Sequence, residues 1–274
     1  MLSPHGFFSF TSVNDSSLHR AYNQWHQLDH RPENLALDAV RYGERWVRTP
    51  ACAAASTADH RLAPTHYVNL YWFRPPIDEA ITQWQALAER SFQWGRRPDM
   101  DMCTRPLMGF FDVVKGYVRP EVLVSVEALP FRPTRGVVVQ VVELLDPHAL
   151  GVERLYRWYD TVAIPAALRL PGVAGAYTFS SVTSTIDEGF VAEAGARTFA
   201  AAAPSRAGSF RITITYCDDD VLVTKRALDE SAHRLRAAAP GGDPFTAAGA
   251  TVIFDSAVRV IEPWAWNWFD EGAS

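Results

Sequence analysis

The sequence predicts an α+β protein made of two βαββαβ units in tandem within one chain. The main observation is a repeated helix motif: Trp25 and Pro32 are seven positions apart, and so are Trp158 and Pro165. A matching third strand and a matching last strand supply two further anchors in the same order. An internal repeat of this length decides the predicted architecture, because each unit must then form the same supersecondary structure.

The first unit is predicted from its hydrophobic periodicity. Short aromatic and β-branched runs indicate strands, and apolar residues three and four apart indicate helices. The predicted strands are residues 6–13, 41–48, 66–73 and 107–118, and the predicted helices are residues 16–37 and 77–94. The Ala-rich stretch at 50–64, which also contains Ser, Thr and Pro, is predicted to form a loop. The resulting order is β-α-β-β-α-β, the ferredoxin-like arrangement.

The second unit follows a proline-rich segment, residues 119–135, which we interpret as a linker. Its predicted strands are residues 137–142, 176–179, 210–216 and 251–261, and its predicted helices are residues 151–168 and 221–236. Residues 186–209 are predicted to form a long loop. The aromatic tail at 263–269 is predicted to be a structural cap, with a lid over a pocket as the alternative. The predicted domains are residues 1–125 and 126–274.

Composition excludes several classes of function. The chain has 274 residues, of which 48% are hydrophobic and 21% charged, and a net charge of −5 gives no electrostatic reason to expect nucleic acid. Its three cysteines are far apart, which favours reduced thiols over a disulfide framework. No signal peptide and no membrane-spanning run is evident. We therefore expect a cytoplasmic protein with neither nucleic-acid nor membrane partners.

The helix motif carries a family resemblance. In the first copy, Trp25, His30 and Pro32 form the motif Trp-x4-His-x-Pro, and a turn follows at residues 37–40. The corresponding turn of the second copy is Leu-Pro-Gly-Val at residues 170–173. This motif and its turn resemble those of EthD-like proteins of the dimeric α+β-barrel superfamily. The element order matches over nearly the whole chain, but the motifs are specific only at 22–40 and 155–180. The resemblance implies that the two units pair their sheets into one barrel, a pseudo-dimer within the chain, with helices outside.

The two copies differ where polar side chains would matter. Ala163 in the second copy stands where the first has His30, and Phe210 and Thr213 stand where the first has His66 and Asn69. A single functional pocket in the first unit is the simplest interpretation.

His30 is the predicted general acid/base, since histidine titrates near neutral pH. The alternative is a helix-face histidine bonded to the neighbouring strand. His66 and Tyr22 are predicted to assist catalysis. The predicted substrate-binding residues are His26, Tyr67, Asn69, Tyr71, Trp46 and Trp72. His26 and His30 have the i, i+4 spacing of metal ligands, but no third ligand is apparent, so we predict no metal.

Arginines of the first unit are candidates for holding a substrate carboxylate. They are Arg48, Arg74, Arg96, Arg97 and Arg105.

Relatives of the resembling family include cofactor-free monooxygenases, lactone isomerases, polyketide cyclases and, more distantly, heme enzymes. The predicted function is a cofactor-independent isomerase, cyclase or lyase that acts on a small aromatic or polyketide-like molecule. Two alternatives stay open: a non-catalytic small-molecule binding or accessory protein, and a heme protein with His30 or His66 as axial ligand. A homodimer is compatible with the resemblance.

Overall fold

A computed structural model describes residues 4–97, 102–186 and 206–270. Its first half contains five strands and four helices, close to the predicted positions. They are β1 (His5–Val13), α1 (His19–Trp25), α2 (Arg31–Leu35), β2 (Val40–Val47), α3 (Pro50–Ala54), β3 (Thr57–Ala58), β4 (Tyr67–Phe73), α4 (Ile77–Gln93) and β5 (Cys103–Val118).

The described residues of the second half repeat the main βαββαβ order and add a short helix before the last strand. Its elements are β6 (Gly136–Leu144), α5 (Leu150–Trp158), α6 (Ile164–Ala167), β7 (Val173–Ile186), β8 (Phe210–Cys217), α7 (Val221–Ala237), α8 (Pro244–Ala248) and β9 (Ala250–Val260). The segment between the halves forms two short 3₁₀ turns, Pro120–Val122 and Val126–Phe131.

The strands form one closed antiparallel barrel. Their order is β2-β4-β1-β5-β7-β8-β6-β9, and β2 also pairs with β9. Within each half the order is second-third-first-fourth strand, which is the ferredoxin-like arrangement. The predicted fold class is therefore confirmed, while the exact domain boundaries stay a prediction.

The two seams of the barrel differ in length. The β5–β7 seam runs from Leu107↔Ile186 to Val118↔Gly175, whereas the β2–β9 seam has only Trp46↔Val260 and Val47↔Arg259 in register. β3 pairs with the middle of β9, at Thr57↔Asp255 and Ala58↔Phe254. β5 begins four residues before its predicted start, and these residues lie beside the end of β1. β7 extends beyond both predicted ends, because it pairs with β5 across the long seam as well as with β8.

Side chains that alternate along each strand separate the barrel interior from the helix side. On β4, Val68, Leu70 and Trp72 belong to the large apolar cluster inside the barrel, whereas Tyr67 and Tyr71 pack toward the helices. The helices thus cover the outer faces of the barrel. The predicted cavity must therefore lie between sheet and helices, and not inside the barrel.

The first predicted helix of each unit is interrupted by a π-helical turn, and the two turns lie at equivalent positions. The first π turn is His26–His30 and the second is Tyr159–Ala163. In each copy a proline follows two residues later, and its missing N–H cannot bond the carbonyl four residues back, which lies in the turn. Single π turns inside α-helices are frequent at functional sites.

The loop predicted at 50–64 is partly ordered structure. It contains α3 and β3, because Thr49 caps the helix by accepting from the Cys52 N–H at 3.3 Å and Pro50 occupies its first turn. The loop predicted at 186–209 lies almost entirely outside the described residues.

The tail packs on the body, in agreement with a cap. Trp266 is buried, and the ring of Phe269 stacks on His19 at 3.8 Å. Across the described ranges, no helix combines the length and apolar character that crossing a membrane requires.

Candidate functional site

A cavity of about 400 Å³ lies between the sheet of the first half and helices α1 and α4. This volume is within the usual range for small-molecule sites. The corresponding cavity of the second half is about 100 Å³. The lining side chains of the larger cavity are Phe7, Ser9, Thr11, Tyr22, His26, His30, Asn69, Tyr71, Trp84, Gln85, Ala88, Glu89, Arg97, Arg105 and Met108. The larger of these two cavities thus lies in the first half, where the sequence predicts the functional pocket.

The sheet wall of the cavity presents polar groups from two paired strands. Asn69 on β4 donates through Nδ2 to the Ser9 carbonyl oxygen at 3.2 Å and to Thr11 Oγ1 at 3.4 Å. Its Oδ1 atom and the Tyr71 hydroxyl are buried, and neither has a hydrogen-bond partner among the described residues. Buried polar groups are usually paired, so these two atoms are available to a ligand.

The helix wall is formed by the first π turn. The rings of His26 and His30 meet at 4.9 Å and nearly perpendicular, and His30 stacks on Trp25 at 4.7 Å. Regular helical periodicity would separate Trp25 and His30 by roughly 140° at about 100° per residue. The π turn changes this geometry, because its hydrogen bonds run from residue i to residue i+5. Trp25 and His30, which are five residues apart, therefore lie on the same side of the helix and stack.

Asn34 holds the turn to the neighbouring helix. Its Nδ2 donates to the His30 carbonyl oxygen at 2.5 Å and lies 3.2 Å from His30 Nδ1, while its Oδ1 accepts from Trp84 Nε1 on α4. Asn34 is buried, so these bonds fix the position of His30 against α4. The sequence predicts that His66 and Tyr22 assist His30, whereas the contacts of His30 in the structure are with Asn34, His26 and Trp25.

Burial keeps both histidines of the turn neutral. It lowers the pKa of His26 well below 6.5, with a further contribution from Arg45, and lowers the pKa of His30 in the same way, with Arg97 and Arg105 contributing next. A neutral imidazole can accept a proton or a metal ion.

Burial acts in the opposite sense on the tyrosines of the cavity. It raises the pKa of Tyr22 and of Tyr71, so both hydroxyls keep their proton and can donate.

Three guanidinium groups surround the His30 end of the cavity. Arg97 and Arg105 line it directly. Arg45 on β2 is fully buried next to it, with its guanidinium 5.0 Å from the Tyr22 ring centroid and 4.7 Å from that of Tyr67. The candidate site thus combines aromatic surface, neutral imidazoles and positive charge.

Five of the nine predicted site residues line this cavity, namely Tyr22, His26, His30, Asn69 and Tyr71. Trp46 and Trp72 do not, because their side chains belong to the core inside the barrel. The alternation on β4 explains this: Trp72 and Tyr71 are adjacent and so face opposite sides of the sheet.

His66 and Tyr67 also lie outside the cavity. His66 Nδ1 accepts from the Val13 N–H at 3.0 Å, and its ring meets His19 edge-on at 4.7 Å. The Tyr67 hydroxyl lies 2.8 Å from His19 Nδ1 and accepts from Asn23 Nδ2 at 2.7 Å. Both residues therefore serve a buried polar cluster that lies beneath the C-terminal tail.

Of the five arginines considered for a carboxylate, only Arg97 and Arg105 reach the cavity. Arg48 is bonded to backbone and hydroxyl oxygens beside the short seam, and Arg96 pairs with Asp29 and Glu33. The sequence analysis does not predict the cavity-lining residues of β1 and α4. Phe7, Ser9 and Thr11 share one face of β1, so the alternation of side chains along this strand is the pattern from which they could be predicted.

In the second half, a series of hydrogen-bonded and ion-paired side chains lies in the region that corresponds to the first-half cavity. The Tyr159 hydroxyl donates to Gln140 Oε1 at 2.6 Å, and Gln140 Nε2 donates to Asp255 Oδ2 at 2.8 Å. The buried Lys225 lies 3.2 Å from Asp255 Oδ1 and also pairs with Asp229. Tyr159 occupies the place of His26, so the two halves differ in chemistry as well as in cavity size.

Within the described ranges, no three His, Cys, Asp or Glu side chains gather as metal ligands. A heme would need a side-chain donor for its iron. His26 fits this requirement, because its Nδ1 atom is buried without a hydrogen-bond partner among the described residues and its ring is neutral.

Comparison with known proteins relates the chain to others by fold alone. No family model matches the sequence, and no curated protein matches it. A solved structure of a candidate chlorite dismutase superposes with a TM-score of 0.50 at 11% identity, covering 97% of this chain and 97% of that one. An anthrone oxidase-like protein aligns with a TM-score of 0.47 at 10% identity, covering 94% and 91%.

A variant of DypB from Rhodococcus jostii RHA1 in complex with heme aligns with a TM-score of 0.44 at 10% identity, over 95% of this chain and 94% of that one. That neighbour is in complex with heme, and the expectation that this chain uses no cofactor is not retained, although the likeness itself shows the fold alone.

Proposed function

We propose that the chain is an enzyme that binds a small aromatic or polyketide-like molecule in the first-half cavity and transfers a proton through His30, as an isomerase, cyclase or lyase does. The observation that carries this proposal is the pair of neutral imidazoles, His26 and His30, in contact at the wall of an aromatic cavity. Neutral imidazole is the form that removes a proton.

The cavity supplies the other parts that such chemistry needs. Tyr71 and Tyr22 keep their hydroxyl protons and can donate to an oxygen on which negative charge develops. Trp84 and Phe7, whose ring centroids are 4.7 Å apart, supply an apolar surface for the body of the molecule. Asn34 and Trp25 hold the His30 ring in place from two sides. Proton abstraction next to a carbonyl, with the resulting oxyanion held by the tyrosines, is the reaction class that this arrangement favours.

The test uses 2-tetralone, an aromatic ketone with acidic benzylic C–H bonds. We expect the protein to accelerate exchange of these protons with deuterium, as followed by NMR. His30→Ala should lose roughly 10²–10⁴ of that acceleration, with little change in thermal midpoint. His148→Ala removes an exposed histidine of the second half and is the matched control. Equal exchange rates for wild type and His30→Ala would contradict the proposal.

A structural role for His30 gives a different result. His30→Ala would then lower the free energy of unfolding by about 1 kcal/mol or more, since bonds to Asn34 are lost, and aromatic ligands would bind as before. Melting and ligand titration of the same variant separate these two outcomes.

A heme protein is the second candidate, favoured by the unpartnered Nδ1 atom of His26. His26 or His30 would hold the heme iron, and Arg97 and Arg105 are suited to hold its carboxylates. Heme would supply redox chemistry to the site. A Soret band that appears on heme titration and is lost in His26→Ala or His30→Ala would support this candidate, whereas its absence in the wild type would exclude it.

A further inference from the structure

We propose that the molecule bound in the first-half cavity is a hydroxyaryl ketone, whose hydroxyl donates to Asn69 Oδ1 and whose carbonyl oxygen accepts from the Tyr71 hydroxyl. This inference rests on the proposed function, because it names the class of molecule for the same cavity. Asn69 is then a specificity-determining residue, which contacts the substrate without transferring the proton.

The orientation of the Asn69 amide is fixed by its contact with β1. One end of the amide lies 3.2 Å from the Ser9 carbonyl oxygen, which can only accept a hydrogen bond, so this end is the nitrogen. The other end is the oxygen, Oδ1, which can only accept. It is buried and has no hydrogen-bond partner among the described residues. A group that pairs with this atom must therefore donate an N–H or an O–H.

Asn69 lies in the middle of the sheet face that forms one wall of the cavity. Its partners in the ladder are Arg45 on β2 and Ser9 on β1. Tyr71 follows two positions later, on the same face of β4. The strand separates the two residues by roughly 7 Å, at about 3.4 Å per residue. An acceptor and a donor thus lie side by side on one wall, at a separation that two oxygens on a bicyclic aromatic molecule can span.

Arg45 is a donor of the protein beside Asn69, but its guanidinium group is held elsewhere. It lies 5.0 Å from the ring centroid of Tyr22 and 4.7 Å from that of Tyr67. Its hydrogen bond to Gln27 Oε1 is 3.5 Å long. In the part of the chain that the structure describes, Nε and Nη2 of Arg45 donate to no acceptor, Asn69 Oδ1 included. The amide oxygen is therefore left for a ligand.

The Tyr71 ring is placed by Gly43, the residue opposite it on β2. A Cβ atom at Gly43 would lie 2.5 Å from Tyr71 Cε1, which is closer than side chains approach one another. The missing side chain of Gly43 thus makes room for the ring. The hydroxyl at its end is buried, pairs with no described residue, and keeps its proton because burial raises the pKa of Tyr71. It can therefore donate to a carbonyl oxygen of the ligand.

Matched ligands test the hydroxyl without any change in the protein. They are isomers of 2-tetralone with one hydroxyl on the benzene ring, each compared with its methyl ether and with 2-tetralone itself. Their affinities follow from displacement of the fluorescent probe N-phenyl-1-naphthylamine. We expect at least one hydroxyl isomer to bind about tenfold or more tightly than both references, because neither reference can donate to Asn69 Oδ1. The amino analogue of that isomer should likewise bind more tightly than its dimethylamino form, since Oδ1 requires only a donor.

Variants assign the preference to one residue. Asn69→Leu should remove the preference for the hydroxyl and leave the affinity for the methyl ether unchanged. Tyr71→Phe, and Gly43→Ala by displacing the Tyr71 ring, should weaken the hydroxyl isomer and its ether equally and so preserve the preference. Asn267→Leu changes an exposed asparagine of the tail and should alter neither ligand. Circular dichroism checks that each variant is folded.

The outcomes separate this inference from the proposed function. If no hydroxyl isomer is preferred by the wild type, or if the preference persists in Asn69→Leu, the inference is overturned. Deuterium exchange of 2-tetralone would then still support the proposed function. Ala88→Trp fills the cavity and should weaken every ketone. If it weakens none, the cavity does not bind these molecules, and both the inference and the proposed function fail.

Discussion

At the scale of single residues, His66 shows that a histidine can be strongly perturbed without lying in a cavity. Burial, and then the charge of Arg48, lowers its pKa to about 4, and burial together with His66 lowers the pKa of His19 to about 4. Perturbed histidines are candidates for functional sites, but buried structural clusters perturb them too. The cluster of His19, His66 and Tyr67 is of the second kind.

These shifts predict how stability depends on pH. The unfolded chain binds protons on these histidines near pH 6.5 and the folded chain only near pH 4, so stability is lost as pH falls from 6.5 towards 4. His66→Asn keeps an acceptor for the Val13 N–H and removes the titrating ring. The loss of unfolding free energy between pH 7 and pH 5 should be smaller in this variant by about 1 kcal/mol, allowing for partial solvent screening. Urea titrations at the two pH values measure it, and an unchanged loss would refute the assignment.

At the scale of elements, the two π turns present the same backbone feature with different side chains. In the first π turn the residues facing the cavity are His26 and His30, and in the second they are Tyr159 and Ala163. A π turn needs one residue more than an α-helical turn. That extra residue places His30 over Trp25, so backbone geometry and candidate chemistry are coupled in the first half.

Deletion of one residue from each turn tests this coupling. Leu28 and Thr161 occupy the same place in the two turns and neither lines a cavity. Removal of Leu28 should restore a regular helix, shift the His30 ring relative to Trp25 and weaken binding of N-phenyl-1-naphthylamine about tenfold or more. Removal of Thr161 should preserve binding. Fluorescence titration gives the affinities and circular dichroism confirms folding. The same affinity in both deletions would show that the turn does not shape the site.

At the scale of the whole molecule, the short β2–β9 seam is the weaker closure of the barrel. Arg48 stabilises it from the side, since its Nε donates to Ser256 Oγ at 3.1 Å and its Nη1 to the Ala63 carbonyl oxygen at 2.7 Å. Further bonds reach the Thr65 carbonyl oxygen and Ser56 Oγ. One buried guanidinium thus ties β2, β9 and the segment between β3 and β4 together.

Loss of this group should destabilise the barrel more than loss of any one acceptor. Arg48→Met should lower the free energy of unfolding by roughly 3 kcal/mol, because several buried oxygens lose their donor. Ser256→Ala removes only the bond across the seam and should cost about 1 kcal/mol. Denaturant unfolding compares the two variants. Hydrogen exchange at residues 46–47 and 259–260 should rise most in Arg48→Met, and uniform exchange across both seams would contradict a weak closure.

The sequence by itself determined the order of elements and the asymmetry of the halves. Strand and helix periodicities are local, so the βαββαβ order could be predicted twice, and the exchange of His30 for Ala163 indicated which half has the larger cavity. Tyr22, His26, His30, Asn69 and Tyr71 were predictable because helix and strand periods place them on faces that meet.

Only the tertiary structure decided which faces became barrel interior and which lined the cavity. Both faces of β4 carry large apolar side chains, so local patterning did not distinguish Trp72, which is in the core, from Tyr71, which lines the cavity. Arg105 and Ser9 reach the same cavity from strands that lie far apart in the chain, and pairing between distant strands leaves no trace in local periodicity. The closure of β2 on β9, the π turn that stacks His30 on Trp25, and the burial of Arg45 likewise follow from contacts between distant residues.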